Sequence, residues 1–154
     1  MGDLDDWNFA TLTVYESYPT TTKEKRDFSG SKYVGMFSGL EEKIMSEEWV
    51  RNNNIAAIHS HDFHNIYRLQ KEIYGKIVKF QDIIIKGRNK DPMRVTIYDE
   101  CDDNDCFNKC SDNKKWNQNG FLIDLEKYTA QRFFKNYNID IDKIRETIQY
   151  KFVN

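Results

Sequence analysis

The sequence predicts a mainly β domain, a small closed barrel with two or three short helices, and three observations lead there. Apolar and polar residues alternate with period two in short runs separated by turn-forming residues, as half-buried strands do. Two of these runs, Asp82 to Lys86 and Met93 to Tyr98, flank Gly87-Arg88-Asn89-Lys90-Asp91-Pro92, a hairpin signal with a long turn. Finally, RVTIYDECDDNDCFNKC (94–110) and NGFLIDLEKYTAQRFF (119–134) read as a strand ending in an aspartate, a polar loop bearing cysteines, a short apolar strand and an amphipathic helix. Closure into a barrel removes the exposed edges that many short strands would otherwise leave. A ferredoxin-like α+β sandwich satisfies the same periodicity and stands as the alternative.

In chain order, the first strand runs from Phe9 to Tyr15, with Thr11, Thr13 and Tyr15 on one face and Ala10, Leu12 and Val14 on the other. Tyr18-Pro19 and the threonine-rich and charged stretch to Arg26 are expected as loop, and Tyr33 to Phe37, bracketed by glycines, as a second strand. Ser46 reads as an N-cap, with Glu47 and Glu48 in the first turn of a short helix ending near Asn52 to Asn54. Ile55 to Ile58 is a buried strand. His61 to Lys79 reads as an insertion holding a helical turn or two, interrupted by Gly75. Phe121 to Ile123 is a short inner strand, Asp124 opens a helix over Leu125 to Phe134, and Thr147 to Val153 alternates Ile148, Tyr150 and Phe152 as a closing strand.

A chain of 154 residues has room for one domain with a real core, so residues 1–154 are expected to form a single domain, and a monomer. Its 23 basic and 25 acidic residues are interspersed, which gives no footprint for nucleic acid or an anionic membrane surface. No apolar run is long enough to span a bilayer. The start, MGDLDDW, lacks the basic and apolar regions of a secretory signal and so points to a non-secreted protein.

Three cysteines, Cys101, Cys106 and Cys110, lie within ten positions, and an odd count without outside partners leaves a lone bridge or free thiols as alternatives. His59, His61 and His64 have a spacing like that of metal ligands. On a strand, however, only His59 and His61 would share a face, so no metal is expected. Asp102, Asp103, Asp105 and Asp112 lack the glycine and terminal glutamate of a calcium loop and read as a solvated acidic loop. No other cofactor is indicated. Asp124 is placed to cap the helix that follows it, and Asp99 to initiate a turn; both are also acidic groups at strand ends.

The strand–Asp–cysteine loop–Leu122-Ile123-Asp124-Leu125 block resembles the six-stranded double-psi β-barrel of expansins, barwin and rare-lipoprotein-A-like proteins. Phe9-Ala10-Thr11-Leu12-Thr13 is similar to the opening strand of microbial expansins, and residues 49–59 to a helix-then-strand block of an expansin-like subgroup. The resemblance spans roughly Trp7 to Phe134 and favours the barrel over the sandwich. It implies a polysaccharide partner, cellulose-, chitin- or peptidoglycan-like, in a groove lined by Thr11, Thr13, Asp99 and Asp124, and loosening of wall polymers without bond cleavage. Expansin-like proteins usually act outside cells, against the reading of the N-terminus. Trp116 is the best candidate for an aromatic platform beside that groove. The histidine of the plant pattern before Asp124 is absent, Cys101 stands where a sugar-stacking tyrosine is expected, and no second, carbohydrate-binding domain is expected within residues 1–154. The alternatives are a glycosidase or lytic transglycosylase with Asp124 as acid, or a non-catalytic barrel serving protein interaction. Inverting hydrolysis needs a second carboxylate roughly 6.5–9.5 Å from the acid, and Glu16 is the nearby candidate.

Overall fold

A computed structural model describes residues 7–18, 34–41, 43–88, 91–106 and 108–154. The loop expected over Pro19 to Arg26 lies outside them. Among the described residues there are six strands: β1 (Asn8–Tyr15), β2 (Ile55–His59), β3 (Asp82–Lys86), β4 (Met93–Cys101), β5 (Leu122–Glu126) and β6 (Glu146–Phe152). They close into a barrel in the order β1-β5-β2-β4-β3-β6. The pairs β1/β5 and β2/β4 are parallel, and the other four are antiparallel. Replacing each strand by the one three places on in sequence returns the same cyclic order with the same parallel pairs, so β1–β3 and β4–β6 interlock as topologically equivalent halves.

Alternation decides what fills the barrel. Ala10, Leu12, Val14, Ala56, Ile58, Ile83, Ile85, Val95, Ile97, Ile123, Leu125, Ile148 and Tyr150 point inward into one core cluster. A second, smaller cluster sits on the outside, where Phe37, Val50 and Ile55 gather Tyr15, Trp49, Tyr98 and Tyr128.

The α-helices among the described residues are α1 (Glu47–Asn52), α2 (Ser60–Tyr74), α3 (Asp103–Cys106), α4 (Lys109–Lys115) and α5 (Lys127–Phe134), more than the two or three short ones expected. Among the described residues none is long and apolar enough to cross a membrane. Ser46 caps α1 as predicted, accepting from the Trp49 amide at 3.1 Å.

Four expectations need correction. Residues 34–37 form a turn instead of a strand, and Tyr33 lies outside the described residues. The supposed insertion is a 15-residue helix, α2, whose Phe63 and Tyr67 are buried in the core. Gly75 ends that helix in the left-handed conformation (φ +74°), the ordinary C-terminal role of glycine, instead of interrupting it. Finally, β5 continues to Glu126, and Glu126 caps α5 by accepting from the Tyr128 amide at 2.7 Å. Asp124 is therefore mid-strand and caps nothing.

Candidate functional site

The outward-facing residues of β1, β5, β2 and β4 lie in rows across the strands. Thr13 pairs with Asp124, Asp124 with Ala57, and Ala57 with Asp99, so these four make one continuous row. Asp99 reaches this face because of a bulge. The β2/β4 register steps from Ala56 opposite Ile97 to Ala57 opposite Asp99, leaving Tyr98 as the extra residue. Without it Asp99 would share the inward parity of Val95 and Ile97. Ala57 separates the two carboxylates with a single methyl group.

Covers lie on either side of the row. Below it, Cys101 at the end of β4 is bonded to Cys110 of α4, with Cα atoms 5.7 Å apart. His59, opposite Cys101, accepts from the His61 amide through Nδ1 (3.1 Å), which leaves Nε2 to donate to Ser111 Oγ at 2.9 Å. Ser111 in turn donates to Asp103. Lys114 and Asp62 add an ion pair at 3.0 Å between α4 and α2. Above the row, Tyr15 and Ile55 join the outer aromatic cluster. Thr13, Asp124 and Asp99 keep partial exposure between these covers, whereas Ala57 is buried.

The two aspartates differ in how many donors face them. Asp99 accepts from the Ser38 amide (3.0 Å), the Glu100 amide (2.9 Å) and Tyr15 Oη (3.1 Å). Burial raises its pKa, and these donors pull the other way. Asp124 accepts from Thr13 Oγ at 2.8 Å. Burial pushes its carboxyl up to about 7, Thr13 opposes the rise, and the charge on Asp99 adds to it. Asp124 therefore titrates close to neutrality. The Tyr15 phenol moves well upward, through burial first and then the carboxylates of Asp99, Glu126 and Asp124, so it stays a donor.

Of the residues expected in the groove, the structure brings Thr13, Asp99 and Asp124 together and separates the others. Thr11 is fully buried under the 3₁₀ turn Trp116–Gln118, donating to the Trp116 carbonyl and accepting from Asn119. Trp116 lies with it outside the row, and the Arg145 guanidinium sits 4.7 Å from its ring centroid. Glu16 is not a solvated surface residue. Its side chain is 8% exposed and pairs with Lys127 at 3.3 Å. Asp99 is a strand residue and starts no turn. The cysteine loop is largely helical instead of a solvated coil. The three histidines do not converge, for His59 is spent on α2 and α4 while His64 faces Glu100 at 3.4 Å. Among the described residues no cluster of His, Cys, Asp or Glu is arranged to hold a metal ion.

Sequence reasoning missed Ala57 and Ser38. The doubled small residue in Ile55-Ala56-Ala57-Ile58 was the available signal for Ala57; Ser38 comes from a segment with no periodicity. Comparison of the chain with protein-family models and with curated protein sequences finds no match to either.

Proposed function

We propose that this chain is an expansin-like, polysaccharide-binding barrel of double-psi type that loosens non-covalent contacts of a glycan without cleaving it. The observation that carries the reading is the outward row Thr13–Asp124–Ala57–Asp99, which sets two carboxyl groups on one partly exposed face on either side of a single methyl group. A neutral carboxyl offers a sugar hydroxyl both a donor and an acceptor, and an adjacent carboxylate accepts from the next hydroxyl. Thr13 sets the acid's orientation, and the small Ala57 leaves room for a ring between them. The interlocked halves of the barrel support the double-psi assignment.

The absence of hydrolysis follows from the remaining carboxylates. Activation of water from the opposite face of a sugar needs a base. Glu16 is committed to Lys127, and Asp99 is occupied by three donors. One observation favours a second reading. A lone acid with a pKa of about 7 suffices for lytic transglycosylation, in which Asp124 protonates the glycosidic oxygen as the C1–O bond breaks. A hydroxyl of the same sugar then closes on C1 and returns its proton to Asp124.

The test is incubation with cellulose, xyloglucan, chitin and peptidoglycan, measuring bound protein and soluble product. Binding without product, lost in Asp124→Asn, is expected. Anhydro-sugar ends would establish the transglycosylase. Binding unchanged in Asp124→Asn would remove Asp124 from the site.

A further inference from the structure

Away from the carboxylate row, the barrel's outer surface is built from alternate residues of β1, β6 and β3. Ala10, Ile148, Tyr150, Ile83 and Ile85 are buried inside, so Phe9, Gln149, Lys151 and Lys86 point out. Register places Phe9 opposite Gln149 and Gln149 opposite Lys86. Trp7, one step before β1, is where the cations meet. Lys86 Nζ lies 4.2 Å and Lys151 Nζ 4.8 Å from its ring centroid. Phe9, two residues on, is 56% exposed.

Two ammonium groups held at one indole repel each other, and among the described residues neither is in an ion pair. Attraction to the ring's negative face offsets only part of that repulsion. An anion accepting from either ammonium would offset the rest through charge-assisted hydrogen bonds. The adjoining aromatic surface and the Gln149 amide suit a flat ring with apolar faces and hydroxylated edges. A polynucleotide would call for a broader basic field than two lysines on a chain of net charge −2.

We propose that this face binds an anionic polysaccharide, its carboxylate or phosphate groups held by Lys86 and Lys151, which Trp7 gathers, and its sugar rings laid on the exposed Phe9. The proposal rests on the reading of the chain as a glycan-handling protein but uses a surface separate from Asp124. A chain holding charged polymer here and working on a second strand at Asp124 would join two components of a composite wall.

Binding to polygalacturonate, xyloglucan and single-stranded RNA at rising salt tests this, with Lys86→Gln/Lys151→Gln, Phe9→Ala and Asp124→Asn alongside wild type. Melting temperatures verify that each variant is folded. Polygalacturonate affinity is expected to fall about tenfold in the double lysine variant, to fall also in Phe9→Ala, and to weaken with salt. Wild-type affinity in the folded lysine variant, or RNA bound more tightly than polygalacturonate through the same lysines, overturns the proposal. Xyloglucan binding that survives Asp124→Asn would sink the Asp124 site instead, leaving the polygalacturonate result to stand by itself.

Discussion

A carboxyl raised to about 7 keeps a proton in the native state that the unfolded chain, with an ordinary aspartate pKa of about 4, has already released. Between those values the native state binds more protons than the unfolded one, so this group's contribution to stability is full below about pH 4 and declines as pH rises through 7. Urea unfolding should show that decline, on the order of a few kcal/mol across the interval. Asp124→Asn should flatten it and make the variant more stable than wild type at about pH 8. Asparagine keeps an oxygen for Thr13 to donate to but has no charge to desolvate. Binding should follow the same course, strongest where Asp124 is protonated and lost above about pH 8 in wild type. Ala57 gives a separate test. Ala57→Leu would wedge a larger side chain between the carboxylates, abolishing glycan binding at a stability cost of about 1–3 kcal/mol, read from retention on polysaccharide and from melting temperature.

The bulge in β4 and the turn over 34–41 act together, for Gly39 donates to the Tyr98 carbonyl at 2.7 Å and thereby delivers the Ser38 amide to Asp99. A Cβ on Gly39 would lie 2.7 Å from that carbonyl oxygen and 2.8 Å from a ring carbon of Phe80. Gly39→Ala should push the turn away, cost Asp99 a donor and raise its pKa further, visible by carboxylate NMR titration with the barrel still folded. Elements defined by their own periodicity were legible beforehand: β1, β3, β4, β6 and α1 all fall within a residue or a few of the expected bounds. The mistakes share a cause. Asp124 looked like a cap because an aspartate before a helix usually is one, yet Glu126, two residues on, makes that bond, which only the pairing of β5 with β1 and β2 reveals. The facing of Asp99 depends on one extra residue in a ladder with β2, a property of two strands that neither carries alone. Thr11 has the same strand environment as Thr13 in sequence, and a turn more than a hundred residues away buries it.

At the scale of the molecule, α4 is fastened by a covalent bond, by the His59–Ser111–Asp103 chain and by the Lys114–Asp62 pair. The bond closes a loop of nine residues' separation, so its entropic contribution is at most about 2–3 kcal/mol. Reductant should lower the melting temperature modestly without unfolding the barrel, and collapse on reduction would mean that the noncovalent fastenings are insufficient. The strand order has a further consequence for how the protein is made. Both partners of β1, β5 and β6, pair with it through contacts such as Thr11 with Leu122 and Asn8 with Tyr150. At synthesis rates of roughly 5–20 residues per second, β1 leaves the ribosome several seconds before any strand it can pair with exists. Among the described residues the β3/β4 hairpin is the only ladder formed by consecutive strands. During that interval Ala10, Leu12 and Val14 are exposed, and the nascent chain is a client for whatever chaperone the cell supplies until its final strand is translated.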